Sequence, residues 1–442
     1  MKYKIFIPLI LAVLGIALRL GVALPAVCTG STGRFFRPDS DFYMLAATDL
    51  ANNKPYPGTV RAPGFPAAAA IVLKVSPCPA AIAIFFALAG GAASLLIYAA
   101  GKSYSNEKTG CIAQALYVFN PTSIFNAPMF LADTLLGILL ALQFWLFVLF
   151  WKKQKPLFFL LSVITAAIGA LVKPINMFWI LPAVFLLAIS SGIKWKSKLI
   201  HGLAAFVLFC AVLFPWMYRN YSLNAGFCID TNTGAMLHQN GAMLTAEAKD
   251  SDFELEKQKI LADLELRFAD AERFPDEKSR VSYRKQQYIK LICAHPLLWL
   301  KQQFQWKILL PDVPTGFELL GVTSPGRGTM GILARDGVWA AANHYFDGKL
   351  YLPLLFLPLL LIVLITYAGC LIKLMHDCIH LKSLYFELFV FLAFAEYYFF
   401  LPGAITAPRY QIPALPVLCV LAAAGILLFS KDKPAKKSGG KK

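Results

Sequence analysis

The feature that most constrains this chain is a series of ten apolar segments. A helix needs about 20 mainly apolar residues to cross a hydrocarbon layer of roughly 30 Å, and the segments meet or nearly meet that length. Because 58% of the residues are hydrophobic and only 15% are charged, a soluble globular protein is excluded. The sequence therefore predicts an all-α integral membrane protein with about ten transmembrane helices. The predicted spans are 5–25, 79–100, 111–127, 131–151, 157–172, 175–191, 199–216, 351–372, 384–401 and 412–430.

The net charge of +17 follows this topology. With a cytoplasmic N-terminus, the cytoplasmic pieces hold 18 of the 42 Lys and Arg residues and three of the 25 acidic residues, which is +15 of the +17. The positive-inside rule describes this distribution. The basicity therefore reflects topology, and nucleic acid is excluded as a partner. The cytoplasmic pieces are 1–4, 101–109, 151–156, 192–198, 373–383 and 431–442.

The chain divides into four parts. Residues 1–217 form an N-terminal transmembrane half, and its first outer loop, 28–78, is the candidate catalytic loop. Residues 218–350 form an extracytoplasmic segment, in which we expect helices that lie along the membrane. Residues 351–430 form C-terminal transmembrane helices, and 431–442 form a disordered basic cytoplasmic tail.

The cytoplasmic side has no room for a catalytic domain. Its longest piece is the 12-residue tail, and neither a glycine-rich phosphate loop nor a dinucleotide-binding fold fits there. Any chemistry is therefore expected at the outer face or within the membrane. Since nucleotide-activated substrates are normally absent outside the cell, an activated donor would have to arrive attached to lipid.

Charged side chains next to the predicted membrane are candidates for function. Asp39, Asp41 and Arg61 lie in the first outer loop, and Asp133 lies at the outer start of a span. An acid there is costly unless it meets water, a cation or a ligand. The alternative for Asp133 is that its carboxylate caps a helix N-terminus. Arg19, deep in the first span, is expected to face the interior and pair with an acid.

Together these segments resemble the GT-C superfamily of polyprenyl-phosphate-sugar-dependent glycosyltransferases. The resemblance is to the branch of the protein O-mannosyltransferases and the lipid A aminoarabinose transferases. The motifs that carry it follow one another along nearly the whole chain, at the outer ends of spans. They are Asp39-Ser40 with Tyr43 and Leu45-Ala46, Arg61 with Pro63-Gly64-Phe65-Pro66, Asn120-Pro121 with Asp133-Thr134-Leu135, Gly169-Ala170-Leu171-Val172-Lys173-Pro174, Phe214-Pro215-Trp216 with Arg219-Asn220-Tyr221, and Arg409-Tyr410 before Pro413.

The resemblance implies roles for the carboxylates. Asp39 matches the first-loop acid that acts as general base. Asp41 is the alternative base, because Ser40 stands where the family often has an acid. Asp133 matches the second-loop acid, which helps to hold the acceptor or, in some members, a divalent metal. No cofactor is implied with certainty, and Asp39 and Asp133 are the candidate ligands for such a metal.

The leaving phosphate requires cations in a medium of low dielectric constant. The resemblance favours Arg61, although Ala62 separates it from the proline that follows directly in the family. Lys173, Arg219 and Arg409 are the other candidates, since each lies at the outer end of a span. Alternatively, each of these cations anchors the chain at the membrane interface.

Five further residues are candidate substrate-binding groups, with less support than the charged set. Each lies in an outer loop or at the outer end of a span, and has a general structural alternative: a solvated loop residue, an ion pair or the interfacial aromatic belt. These residues are Tyr43, His238, Asn240, Glu396 and Tyr410.

The leading hypothesis is a multi-pass glycosyltransferase of the plasma (bacterial inner) membrane with its active site on the extracytoplasmic face. It would transfer a sugar, with inversion, from a polyprenyl-phosphate donor to a hydroxyl or phosphate of a protein, lipid or glycan acceptor. One alternative is a polymerase or ligase of lipid-linked glycans, which would rely on arginines more than on first-loop carboxylates. The other is a lipid or solute transporter, for which polar residues near the bilayer midplane and symmetric halves would be typical.

Overall fold

The protein is described by a computed structural model over residues 6–190, 192–232, 236–323, 329–349, 351–380, 384–404 and 406–429. Within these residues all regular structure is helical and no strand occurs, which confirms the predicted all-α class. The predicted cytoplasmic N-terminus at 1–4 and the predicted tail at 431–442 lie outside the described residues.

Twenty-one α-helices and six shorter 3₁₀ or π segments make up these residues. The α-helices are α1 (Phe6–Cys28), α2 (Ser40–Ala51), α3 (Gly64–Val75), α4 (Pro79–Ala92), α5 (Ser94–Tyr104), α6 (Glu107–Val118), α7 (Pro121–Asn126), α8 (Ala132–Lys153), α9 (Pro156–Val172), α10 (Ile180–Ile189), α11 (Trp195–Ser222), α12 (Ala242–Lys249), α13 (Phe253–Phe268), α14 (Glu277–Ala294), α15 (Pro296–Gln303), α16 (Val313–Leu319), α17 (Thr329–Tyr345), α18 (Leu352–His380), α19 (Leu384–Phe391), α20 (Tyr397–Phe400) and α21 (Leu415–Leu427). The 3₁₀ segments are Thr32–Phe35, Pro174–Trp179, Trp306–Leu309 and Pro408–Ala414, and the π segments are Leu237–Gly241 and Leu392–Glu396.

Six helical stretches among the described residues are long and apolar enough to cross a membrane. Three further predicted spans, 157–172, 175–191 and 384–401, form apolar helices below that length. Because a helix rises 1.5 Å per residue, the 17 residues of α9 extend about 26 Å, just short of the hydrocarbon layer. The chain is a multi-pass membrane protein, with fewer full-length spans than the ten predicted. The long stretches are Phe6–Cys28, Pro79–Tyr104, Ala132–Lys153, Trp195–Ser222, Leu357–His380 and Pro408–Leu427.

The predicted span 111–127 is broken at Asn120-Pro121. The Asn120 side chain accepts a hydrogen bond from the Ser123 amide at 3.1 Å, so it caps a new helix, α7. Pro121 has no amide hydrogen to donate and fits the first position of that helix. The backbone therefore turns here, and the segment contributes two short helices instead of one crossing.

The outer segment contains several helices, as expected. In one of them, α13, Leu264 is buried. Its terminal Phe268 packs with Phe274 and Tyr283, which tie α13 to α14. The segment then returns to the membrane bundle through α15 and α16.

Helix α8 lies at the centre of the bundle, where α5, α9 and α21 pack against it. The segment Pro408–Ala414 crosses α8 at Gly137, and a Cβ atom on this glycine would lie 2.8 Å from Ile412 Cγ2. A larger residue would push the segment away. Gly137 therefore permits the close approach that brings Arg409 beside the first turn of α8.

Arg19 is buried as predicted, but it pairs with no acid among the described residues. Its guanidinium donates to the Ser123 hydroxyl at 2.6 Å and to the Gly15 carbonyl at 2.9 Å. It also lies over the ring of Tyr117, 5.2 Å from the centroid. Neutral oxygens and an aromatic face thus replace the expected carboxylate, which corrects the prediction.

Candidate functional site

The first-loop acid lies where helix α2 begins. Asp39 occupies the N-cap position of α2, yet its side chain makes no capping bond. The neighbouring hydroxyl forms the turn instead, since Ser40 Oγ accepts from the Arg37 amide at 2.9 Å. The Asp39 carboxylate is therefore available for Arg61, whose Nη2 lies 2.6 Å from Asp39 Oδ1.

Arg61 is held in place by its own backbone. The buried Tyr56 hydroxyl donates to the carbonyls of Arg61 at 3.0 Å and Ala62 at 3.1 Å. Three residues later α3 begins against the end of α9, where a Cβ atom on Gly64 would lie 2.6 Å from Val172 Cγ2. Only glycine allows this approach. It brings the start of α3 against the turn that carries Lys173.

The second acid, Asp133, lies in the first turn of α8 and pairs with Lys173. Lys173 Nζ is 2.7 Å from Asp133 Oδ1, and only 4% of the Asp133 side chain is exposed. The alternative of a helix cap is not what the structure shows, because Leu131 is the N-cap residue of α8 and Asp133 faces a cation. Lys173 reaches this position because Pro174 ends α9 directly after it.

Arg409 joins the two ion pairs. Its Nη2 lies 4.0 Å from Asp39 Oδ2, and its Nε lies 3.6 Å from Asp133 Oδ2. The ring of Tyr410 supports the cations, with Lys173 Nζ 4.3 Å and Arg409 Cζ 5.2 Å from its centroid. We call Asp39, Arg61, Asp133, Lys173 and Arg409 the acid–base cluster; its formal charge is +1.

Tyr43 lies one turn beyond Asp39 on α2, buried against Phe65 at 5.3 Å between ring centroids. Burial raises the pKa of its phenol well above the ordinary value. Arg61 opposes this shift in pKa, whereas Asp39 and Asp133 add to it. The phenol is therefore a neutral, protonated group beside the cluster.

Two of the predicted charged residues lie apart from the cluster's contacts. Asp41 is exposed in the first turn of α2 and forms no ion pair with any described residue. Arg219 donates to the carbonyls of Tyr56 at 2.7 Å and Gly58 at 3.0 Å, and its Cζ lies 4.5 Å from the centroid of the Trp216 ring. Arg219 therefore contacts the first outer loop instead of either acid.

Three of the four remaining predicted residues, His238, Asn240 and Glu396, make no contact with the cluster among the described interactions. His238 lies in the π segment Leu237–Gly241, where burial, Arg284 and Lys257 lower its pKa. In the same segment Asn240 is buried, and its amide contacts Met236 Sδ at 3.3 Å. Glu396 is half-buried at the end of the π segment Leu392–Glu396. Tyr410, in contrast, is part of the site.

Sequence reasoning missed the contacts that seat the first loop on the outer segment. Arg37 Nη2 lies 2.7 Å from Glu318 Oε2, and Arg34 donates to the Leu319 carbonyl at 3.2 Å. Burial raises the pKa of Glu318, and Arg37 opposes that shift. The partners in both contacts are far apart in the sequence and share no motif. Only the opposite charges of Arg37 and Glu318 indicated that these two residues could pair.

Carboxylates and cations alternate in the cluster, and this arrangement suits an anion better than a metal. Three cationic side chains converge, and Arg409 lies between the two acids that would have to share a divalent cation. Among the described residues no three His, Cys, Asp or Glu side chains are placed to hold a metal ion together. The site can therefore bind an anion such as phosphate and present a carboxylate next to it.

Similarity to known proteins agrees with this chemistry. The family described as "Dolichyl-phosphate-mannose-protein mannosyltransferase" matches residues 60–218. Structures of the oligosaccharyltransferase of Archaeoglobus fulgidus share the fold. The apo form superposes with a TM-score of 0.54 at 15% identity, and a form tethered to an acceptor peptide has a TM-score of 0.53 at 13% identity. The chain therefore has the fold of these structures, and part of it matches the mannosyltransferase family.

The extent of these matches is uneven. The apo and the peptide-tethered structures each cover 97% of this chain, whereas the chain spans about half of their length, 51% and 50%. No curated protein is significantly similar in sequence. The family match contains Arg61, Asp133 and Lys173, while Asp39 and Arg409 lie outside it.

Proposed function

We propose that this protein is a glycosyltransferase of the GT-C superfamily, which transfers a sugar from a polyprenyl-phosphate donor to a hydroxyl or phosphate of an acceptor on the extracytoplasmic face of the membrane. The observation that carries the proposal is the acid–base cluster at the end of the bundle where α8 begins. It combines three cations for a leaving phosphate with two carboxylates of unequal exposure.

The cations would hold the phosphate of the donor. Arg61, Lys173 and Arg409 are each about one-fifth to one-quarter exposed, so a ligand can reach them while most of their surface is shielded from water. Charge-assisted hydrogen bonds to phosphate are strong in such a place. As the sugar leaves, negative charge grows on the phosphate, and cations already in position stabilise that charge.

Asp39 is the better candidate for general base. Its side chain is 32% exposed, against 4% for Asp133, so an acceptor can reach Asp39 but not Asp133. Before the donor binds, Arg61 forms an ion pair with the Asp39 carboxylate. A bound phosphate competes for Arg61 and leaves Asp39 available to accept the proton of the acceptor, a role that contributes about 10²–10⁴-fold.

The bond changes balance in a single displacement. The acceptor oxygen forms a bond to the anomeric carbon while its O–H bond breaks and the proton moves to Asp39. The bond between the anomeric carbon and the phosphate oxygen breaks, and the phosphate leaves with the electron pair. Direct attack opposite to the leaving group inverts the anomeric centre. In this scheme buried Asp133 positions Lys173 and Arg409, and no step requires a metal.

The relatives supply circumstantial support for the two substrates. One structure of the Archaeoglobus fulgidus oligosaccharyltransferase is a complex with an inhibitory peptide and a dolichol-phosphate, with a TM-score of 0.52 at 14% identity. A lipid phosphate and a peptide thus occupy a protein of this fold. The transporter and glycan-polymerase alternatives gain no comparable support from the site.

The test compares Asp39→Asn with Asp41→Asn, the same change two residues apart on one helix. Purified protein is incubated with a panel of polyprenyl-phosphate hexoses and pentoses and with cell-envelope acceptors, and release of polyprenyl phosphate is measured. We expect the wild type to consume one donor. Asp39→Asn should lower kcat by about 10²-fold or more, whereas Asp41→Asn should retain kcat within about threefold. Full activity of Asp39→Asn would refute the assignment of the base, and consumption of no donor would refute the proposed function.

A further inference from the structure

A second polar site lies at the opposite end of the bundle from the acid–base cluster. There the ends of several long helices enclose a pocket of about 390 Å³. Tyr104 is the last residue of α5, Lys152 is in the last turn of α8, and Leu427 is the last residue of α21. Because these residues end stretches that can cross a membrane, the pocket lies at the level of the membrane interface.

The pocket is basic. Lys108, Lys152 and Lys373 line it, and none of the lining residues that the structure describes carries a carboxylate. Lys373 is the most enclosed of the three and pairs with Asp377, whose Oδ1 lies 2.6 Å from Lys373 Nζ. Lys152 instead lies over the ring of Tyr104, with Nζ 5.6 Å from the centroid. A cation over an aromatic face keeps its charge and its hydrogen-bond donors for a ligand.

Polar and apolar groups occupy different parts of the lining. Ser105, Asn106 and Thr109 add hydroxyl and amide groups beside the lysines, whereas Ala424 and Leu428 belong to the apolar end of the bundle. Phe429 follows directly and is 73% exposed. A ligand with an anionic head and an apolar body matches this division. The sequence beyond Phe429 adds six lysines and one aspartate at 431–442.

We propose that this pocket binds the phosphate group of an anionic membrane lipid. A free phosphate ion has the same anionic chemistry, but it would not use the apolar side or benefit from a site at the membrane interface. Basic residues next to transmembrane helices attract anionic lipids, on the order of fivefold in affinity for each lysine or arginine. The proposal does not depend on the glycosyltransferase function, because it involves none of the residues of the acid–base cluster.

Lysines at helix C-termini also stabilise the helix dipole, so their presence alone does not define a binding site. The decisive measurement is the affinity of the first bound lipid, obtained by native mass spectrometry of the full-length protein in neutral detergent. Phosphatidylglycerol is compared with phosphatidylcholine of the same acyl chains. The test variant is Lys108→Gln with Lys152→Gln. The matched control is Lys194→Gln with Lys196→Gln, which removes two exposed lysines predicted on the same membrane side.

We expect phosphatidylglycerol to bind the wild type more tightly than phosphatidylcholine does. The test variant should weaken phosphatidylglycerol binding about 25-fold, the product of two fivefold effects, and the control should change it less than twofold. Equal affinities for the two lipids, or equal losses in both variants, would overturn the proposal. Inorganic phosphate that displaces phosphatidylglycerol at equal concentration would assign the pocket to a soluble anion instead.

A second comparison covers the case in which the test variant does not fold. Lys152→Arg keeps the charge at this position and Lys152→Gln removes it. We expect Lys152→Arg to retain the wild-type affinity for phosphatidylglycerol and Lys152→Gln to lose about fivefold. Identical affinities in these two variants would contradict the proposal.

Discussion

At the scale of single residues, the two acids of the cluster differ in access although they share a cation. Arg409 lies between Asp39 and Asp133, but only Asp39 is open to a second substrate. The same cations that would bind a phosphate hold the acids in its absence. Under the proposed function, binding of an anion would therefore release a carboxylate from these side chains.

Arg61 should contribute to affinity for the lipid phosphate. Arg61→Ala removes one charge-assisted hydrogen-bond donor, which is worth roughly 1.5–3 kcal/mol, so polyprenyl phosphate should bind about 10- to 100-fold more weakly. Polyprenyl phosphate is the probe because all candidate donors share it. Lys54→Ala, which removes an exposed lysine of the same loop, is the control. An affinity that falls equally in both variants would indicate a general effect of charge.

The sequence allowed the members of this cluster to be predicted, but not their pairing. Asp133, Lys173 and Arg409 were candidates because charge at the outer end of an apolar span is costly unless it has a role. Asp39 and Arg61 were candidates because they match first-loop residues of the family that the sequence resembles. Arg219 met the same criterion, yet backbone carbonyls satisfy it. Which oxygen a cation meets depends on how helices pack, and a single sequence does not carry that information.

At the scale of elements, the first outer loop is clamped by α11. The Arg219 guanidinium holds two carbonyls of the loop, and Tyr56 packs edge-on against Trp216 with 4.9 Å between ring centroids. Tyr56 then holds the backbone of Arg61. A span that contributes no side chain to the cluster thus sets the position of one of its cations.

Tyr56→Phe should loosen this clamp without changing any charge. The carbonyls of Arg61 and Ala62 lose a hydroxyl donor in a buried place, which costs about 1–3 kcal/mol. We expect kcat/KM for the lipid donor to fall about tenfold, with a decrease of a few degrees in Tm. Tyr221→Phe, at an exposed tyrosine in the last turn of α11, is the control for loss of a hydroxyl. Unchanged kcat/KM in Tyr56→Phe would show that the clamp does not position Arg61.

The ends of helices could be predicted from the sequence where nearby residues determine them. Asn120-Pro121 broke the predicted span because a capping side chain and a missing amide hydrogen act within one turn. The number of membrane spans was harder to predict from the sequence. The segments at 157–172, 175–191 and 384–401 are mostly apolar. A 3₁₀ segment interrupts the second and a π segment the third, whereas the first lies within the 17-residue helix α9.

At the scale of the whole molecule, the two ends of the bundle differ in chemistry. The end that carries the acid–base cluster has paired acids and bases, and the other end carries the lysine-lined pocket. This asymmetry, together with the distribution of basic residues along the sequence, predicts which end faces the cytoplasm.

Native cysteines allow this orientation to be measured. Cys28 and Cys78 are exposed near the cluster end, where α1 ends and α4 begins, and Cys378 is exposed in the last turn of α18 at the other end. In intact cells, a membrane-impermeant maleimide should label single-cysteine variants that retain Cys28 or Cys78. It should label Cys378 only after the membrane is opened. Labelling of Cys378 alone in intact cells would show that the orientation is the opposite of the predicted one.

The cluster also constrains how the protein is made. Asp39 is synthesised 370 residues before Arg409 (409 − 39), yet the two side chains meet in the cluster. Their contact is therefore a long-range closure, and such closures form late. A chain that has not been synthesised as far as Arg409 lacks the arginine that joins the two acids. The site therefore stays incomplete until Arg409 has been made.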